Sequence, residues 1–308
     1  MNCTKYYSGH IMKKIIEEPV ILTPVGHHEL SRHLVYRIDG QNKKPEIFKM
    51  FFVKNRWNRE IATLKLLAES QVKIPRIISY GVLENKTEWL ITECFEGMPL
   101  DTVIRNIQNE NLRSIYMDIG RELGKMHSYQ TFEFFGNWDE HGNSIDKNSD
   151  FKSVFIRRVK TVLDQLFDQK LPEESLQREA AKLLWDKVPL LEGISVSRLC
   201  HNDYNLRNIM VKNVDGFWSL EGIIDFEQSF PWDKDIDLVY LYHKLTKEDV
   251  KLRDDFMRGY EEYCQIGDDF YKKIDFYLLY MGLYICSWSY NPAPEYYRQG
   301  VNLLSSLV

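Results

Sequence analysis

The chain changes texture once, and that change narrows the folds open to it. Up to Gly97, short runs rich in β-branched and aromatic residues recur at 20–25, 33–38, 46–53, 76–82 and 88–93, the mark of half-buried strands. One helix interrupts them. Trp57, Ile61, Leu64, Leu67 and Ala68 return at helical spacing over 57–70, and Pro75 blocks any continuation. After Gly97 the segments are long and amphipathic: Leu112, Ile115, Tyr116, Ile119, Leu123 and Met126 share one face of 112–127, and further helices are expected at 151–169, 173–188, 246–264 and 268–289. Within this half, strands at 209–211 and 218–224 flank Asp215-Gly216, a dipeptide that favours a tight hairpin turn. The pattern predicts an α+β chain with a small β-rich part over residues 1–97 and a larger, mainly helical part over 98–308.

Charge excludes some functions. The chain of 308 residues carries 40 Lys+Arg against 45 Asp+Glu, a net charge of -5, which argues against a sequence-independent nucleic-acid binder. The first 97 residues hold 15 basic and 11 acidic residues, the rest 25 and 34, so the larger part is the acidic one. An acidic cleft concentrates cations, although solvated helix faces give the same count. Five cysteines (Cys3, Cys94, Cys200, Cys264 and Cys286) include no Cys-x-x-Cys pair, so neither a disulfide framework nor a zinc ribbon is indicated. No apolar core of signal-peptide length stands in 1–14, and the longest apolar run, 276–286, falls well short of the ~20 residues that span a bilayer. The expectation is a soluble cytoplasmic protein with no membrane partner; the oligomeric state is left open.

The most specific stretch is His201-Asn202-Asp203-Tyr204-Asn205-Leu206-Arg207-Asn208, followed across the hairpin by Ile224-Asp225-Phe226-Glu227. Singly, each of these Asp and Asn residues is an ordinary turn former. Jointly, the His-x-Asp-x-x-x-x-Asn spacing and the Asp at the end of the return strand supply what a magnesium nucleotide needs: hard oxygen ligands, and one carboxylate to orient an attacking hydroxyl. Asp203 is the candidate base, and Asn208 and Asp225 are the candidate metal ligands.

On these residues the chain resembles the kinase-like phosphotransferase superfamily, and within it the aminoglycoside phosphotransferase and choline kinase branch. A protein kinase would usually show Arg at Asn202 and Gly at Glu227. The segment Pro231-Trp232-Asp233-Lys234-Asp235-Ile236-Asp237-Leu238 is similar to the family's Gly-Asp-Pro-x-x-Asp-Leu-Ala tail, where Asp237 matches an Asp that tethers the catalytic loop. Gly120, Leu123, Gly124, Met126 and His127 resemble a helix ending of the large lobe. The resemblance implies a protein-kinase-like two-lobed fold, Mg2+, and ATP or GTP as phosphoryl donor. It implies further that Lys49 is the nucleotide-binding lysine, that Glu60 pairs with it, and that backbone groups near Thr92, Glu93 and Cys94 meet the adenine. The glycine-poor loop Thr23-Pro24-Val25-Gly26-His27-His28-Glu29-Leu30-Ser31-Arg32 departs from a protein kinase more than from this branch. His27, His28 and His33 lack zinc-site spacing, and Cys200 reads as a small buried hydrophobe.

The implied activity is phosphoryl transfer to a hydroxyl of a small, cationic acceptor, foremost an aminoglycoside antibiotic, with antibiotic resistance as the consequence. Acidic residues of the large part (Asp139, Glu140, Glu227, Asp235, Glu261, Glu262, Glu295) are candidates to attract such a molecule. Trp232, Trp288, Tyr290, Tyr296 and Tyr297 are candidates to stack on sugar rings or cage an amine. Of these, Glu227, Asp235, Trp232, Glu262 and Trp288 form the expected acceptor set. Choline or another metabolite, and a catalytically silent nucleotide-binding protein, are the alternatives.

Overall fold

A computed structural model describes residues 15–16, 20–26, 28–41 and 43–308; Cys3, His27 and the 1–14 segment lie outside the described residues. The chain forms two compact units, Met1–Lys54 with Pro75–Cys94, and Asn55–Ile74 with Phe95–Val308.

The first unit is an antiparallel sheet of β1 (Val20–Val25), β2 (His33–Gly40), β3 (Glu46–Phe51), β4 (Ile77–Val82) and β5 (Glu88–Glu93), in the order β1-β2-β3-β5-β4. Leu34, Tyr36 and Ile38 alternate along β2 and pack with Phe48, Met50 and Ile91. The central strand β3 is buried from Phe48 to Phe51, so Lys49 is 6% exposed within it. Its Nζ lies 4.9 Å from the Phe51 ring centroid.

The second unit contains the helix that interrupts the strands, α1 (Arg56–Leu67). Sequence texture placed this helix with the strands. Its buried face instead packs with the larger unit: Arg56 pairs with Glu227, and Arg59 donates to Gln228 Oε1 at 3.1 Å. The chain leaves the sheet unit between Cys94 and Phe95. The Glu221 carboxylate then accepts from the Glu96 and Gly97 N–H groups at 3.0 and 2.6 Å.

The rest of the unit runs β6 (Met98–Pro99), α2 (Leu100–Val103), α3 (Asn109–Tyr129), β7 (Thr131–Phe132), α4 (Phe151–Phe167), α5 (Glu174–Asp186), β8 (Ser197–Cys200), β9 (Ile209–Val214), β10 (Phe217–Ile223) and β11 (Phe230–Trp232). It closes with α6 (Asp235–Glu248), α7 (Val250–Glu261), α8 (Phe270–Ser289) and α9 (Pro294–Ser305). Two small sheets, β10-β9-β6 and β11-β8-β7, carry the loops of interest. The β9–β10 turn is the expected one, with Asp215 at φ 53 and Gly216 at φ 86, both in the left-handed region that such turns demand.

The single helix expected over 246–264 is broken. Asp249 turns extended and its side chain caps α7, accepting from Lys251 N at 2.9 Å and Leu252 N at 3.2 Å. α6 begins earlier than periodicity suggested, with Asp235 and Asp237 in its first turn, where the helix dipole favours acids. Helices α3 and α7 touch through glycines: a Cβ on Gly120 would stand 2.0 Å from the Phe256 carbonyl oxygen, and one on Gly259 2.0 Å from that of Met117. No helix among the described residues is long and apolar enough to cross a membrane.

Candidate active site

The loop between β8 and β9 is held from below by one carboxylate. Asp237, 3% exposed at the start of α6, accepts from the backbone N–H of His201 at 2.6 Å and of Asn202 at 2.7 Å. Asn202 adopts φ 59, a left-handed conformation that Asn tolerates better than most residues. The fully buried His127 of α3 completes the anchor, with Nε2 3.1 Å from Asp237 Oδ2 and Nδ1 2.9 Å from the Tyr260 hydroxyl. Burial outweighs the nearby Asp237 charge and lowers the imidazole pKa, so the ring is neutral, donating from Nε2 and accepting at Nδ1. The expected tether is thus present, and it runs through His127 into the helix that supports it.

Above this anchor, Asn208 Nδ2 donates to the Asp203 carbonyl at 2.9 Å and to its Oδ2 at 3.3 Å, and Asn205 Nδ2 donates to Oδ1 at 2.7 Å. The His201 ring reaches the second motif, with Nε2 donating to the Ile224 carbonyl at 3.1 Å, while Ile224 N donates to the Asn208 carbonyl at 3.0 Å. These bonds set Asp225 beside Asn208. Asp225 itself stands at φ 67, ψ 64, a left-handed position that costs most residues of order 1–3 kcal/mol and marks a site the surroundings over-determine. Burial, and next the charge of Asp225, raise the pKa of Asp203. A cation between such groups would relieve their repulsion.

The donor chemistry fits magnesium. The Asn208 amide nitrogen is committed to Asp203, so its oxygen is turned the other way, as a hard cation requires. The carboxylates of Glu60, Asp225 and Glu227 each offer an oxygen within 4.8 Å of the others. Glu60 and Glu227 are 6% and 3% exposed.

The expected acceptor set is mostly corrected. Trp232, 2% exposed, packs its ring 4.8 Å from Phe151 and 5.3 Å from Phe230, and has no surface for a ligand. Asp235 is equally buried, bound by Lys273 at 2.6 Å and Lys234 at 3.2 Å. Glu227, two residues after Asp225, is paired with Arg56. Glu262 is held by Arg121 on the flank of α3 through two contacts of 2.8 Å. The Trp288 ring lies 5.7 Å from that of Tyr296, over which Arg207 sits at 5.0 Å. Of the other acids, Asp139 closes its own turn onto the His141 and Asn143 N–H groups, and Glu295 pairs with Arg298.

In the sheet unit, Thr92 is buried and Glu93 exposed at the end of β5. The N–H groups of Glu93 and Cys94 already donate to the Arg76 and Pro45 carbonyls at 3.0 and 3.2 Å, which narrows any adenine contact from these two residues to their carbonyls. Gly26 takes φ 77 in the β1–β2 loop, where the His28 ring meets the Val35 carbonyl at 2.7 Å. Cys200 is fully buried, and burial pushes its thiol pKa well up, as its reading as an inert hydrophobe requires.

Two contributors escaped the sequence. Asn205 orients Asp203, and its spacing gave no sign of that. Arg56, four residues before Glu60, shares its helix face, a spacing that offered a clue.

No curated protein matches the chain. Among solved structures it is similar to a thermostable mutant of aminoglycoside phosphotransferase APH(4)-Ia in ternary complex with ADP and hygromycin B (11% identity, 97% of this chain and 96% of that one, TM-score 0.74). It is also similar to a putative aminoglycoside phosphotransferase from Ralstonia eutropha (14%, 98% and 96%, TM-score 0.70) and to the GDP complex of wild-type aminoglycoside 2'-phosphotransferase-IIIa (16%, 100% and 98%, TM-score 0.69). At these identities the likeness establishes the two-lobed, kinase-like fold. The profile of the phosphotransferase enzyme family matches residues 31–273, from the second strand into α8, and the chain therefore belongs to that family.

Proposed function

We propose that this protein transfers the γ-phosphoryl group of a nucleoside triphosphate to a hydroxyl of a small molecule. The observation that carries the reading is the Asp203–Asn208–Asp225 constellation, with Asn208 bonded to Asp203 and the Asp225 charge acting on it. Asp203 orients the hydroxyl and holds its proton at the carboxylate. Asn205 and Asn208 fix the rotamer of that carboxylate. Asn208 and Asp225 are the residues that would hold Mg2+, which when bound neutralises phosphate charge. By family resemblance Lys49 is assigned to the phosphates, with Glu60 as the acid that positions it. Because the transition state is loose, positioning and electrostatics supply most of the rate.

The aminoglycoside expectation draws its support from the names of the structural neighbours. The charge argument for it weakens, because Asp235, Glu262 and Glu295 are paired within the protein. A coupled assay for ADP or GDP release tests the reading, run with Mg2+ against aminoglycosides, choline, sugars and hydroxylated acids. Acceptor-dependent release that falls by about 10²–10⁴-fold in Asp203→Ala, with nucleotide affinity retained, supports it. Tight nucleotide binding with no release for any acceptor favours the silent alternative.

A further inference from the structure

Two arginines near the catalytic loop lack an acidic partner. Arg59 of α1 donates through Nε and Nη2 to Asn137 Oδ1 at 2.9 and 2.5 Å and through Nη1 to Gln228 Oε1 at 3.1 Å. Arg158 of α4 donates through Nε to the Tyr280 hydroxyl at 2.6 Å. Both guanidinium carbons lie against one ring, 5.1 and 5.0 Å from the Phe230 centroid, which bounds their separation to twice that distance. All these partners are neutral, and among the described residues no carboxylate comes within ion-pair distance of either. Glu227, the acid whose charge Arg59 senses, is already paired with Arg56.

Both arginines are half-buried, so they retain some contact with solvent while paying for partial desolvation. Burial, and next the Arg158 charge, push the Arg59 pKa down to about 10. Two like charges whose hydrogen-bond partners are two amides and a phenol, set against the Phe230 and Trp232 rings, are electrostatically incomplete. An oxyanion completes them, since the guanidinium fork matches carboxylate and phosphate geometry. The site also adjoins the chemistry: the Gln228 carbonyl accepts from Asn202 Nδ2 at 3.2 Å, and Asn202 immediately precedes Asp203.

We propose that Arg59 and Arg158 form an oxyanion-binding site and that the acceptor carries a carboxylate or phosphate group that docks there. The site stands on its own geometry; its assignment to the acceptor rests on the kinase reading. A polycationic acceptor would meet repulsion at this point.

The first experiment titrates the full chain with inorganic phosphate by calorimetry, with and without saturating MgADP. The expected result is saturable binding that persists with MgADP and weakens at least tenfold in Arg158→Gln and in Arg59→Gln, each shown folded by its melting curve. The wild-type titration is decisive in one direction whatever the stability of the variants: absence of saturable phosphate binding overturns the site. Binding that both variants keep at full strength overturns it as well. Failure of MgADP to bind counts against the kinase reading and leaves the phosphate titration valid. The second experiment compares glycerol 3-phosphate, glycerate, glycerol and an aminoglycoside as acceptors. Turnover of the phosphate or carboxylate compound, with KM raised at least tenfold and kcat within threefold in Arg158→Gln, supports the acceptor assignment. Turnover confined to glycerol or the aminoglycoside, or a KM indifferent to Arg158→Gln, overturns it; phosphate binding without turnover of either acidic compound also overturns it and assigns the site to a free anion instead.

Discussion

The Asp237 carboxylate accepts the backbone N–H of His201 at 2.6 Å, and through that bond the start of α6 fixes the loop that carries Asp203. The same side chain holds Asn202 at 2.7 Å and His127 at 3.1 Å, so one buried acid joins two helices to the loop between β8 and β9.

Asp237→Ala leaves three buried donors without their acceptor, at about 1–3 kcal/mol each when unpaired. The expected outcome is a clear loss of stability in urea unfolding, together with a fall in kcat larger than any change in nucleotide affinity. Unchanged stability would show that the loop holds itself without the tether.

Substitutions at the proposed metal ligands separate two roles. Asn208→Ala and Asp225→Asn are expected to raise the Mg2+ concentration needed for half-maximal turnover by tenfold or more, because each removes a hard oxygen donor or its charge. Asp203→Ala is expected to lower kcat by about 10²–10⁴-fold with the Mg2+ requirement unmoved. Mg2+ titrations of the three variants, read by ADP release, decide whether the assignments hold.

His127 gives stability a pH dependence of known sign. Its folded pKa is lowered by burial, so the unfolded chain binds more protons below the ordinary histidine value of about 6.5. Its contribution is full above that value and is lost as pH falls toward the depressed folded pKa. The urea midpoint of the wild type is expected to drop over this window, and His127→Gln to flatten the drop. An identical slope in the variant would assign the dependence to other groups.

Lys273 is the buried counter-charge of the 231–238 segment, 3% exposed and within 2.9 and 2.6 Å of Asp233 and Asp235, with Asp269 at 3.1 Å. Lys273→Met strands the buried Asp233 carboxylate and leaves Asp235 to Lys234 alone, and is expected to cost about 3–5 kcal/mol, since breaking a buried pair leaves uncompensated charge. Thermal and urea unfolding measure the loss; a change below about 1 kcal/mol would mean that water already reaches the cluster.

Much of the fold was legible in local pattern. β1 and β5 stand where their β-branched runs placed them, and Asp215-Gly216 turns as its conformational freedom demands. The helix broken at Asp249 was not legible, because apolar periodicity continues across a residue whose side chain prefers to cap. α9 escaped too, although Pro294 at its first turn is a recognised start signal.

Within the site, spacing alone singled out Asp203, Asn208 and Asp225, because a reacting constellation built on one loop and one hairpin is local in the chain. The acceptor residues were another matter. Trp232 and Asp235 looked available by type, and only tertiary packing showed one ring enclosed by Phe151 and Phe230 and one carboxylate bound by Lys273. Arg59 and Arg158, far apart in sequence, become neighbours only through Phe230. Residue order determined the family and the local chemistry, since these depend on nearby side chains and backbone preference. Which charges are neutralised and which are left for a ligand depends on partners distant in the chain, and that was decided by the folded structure.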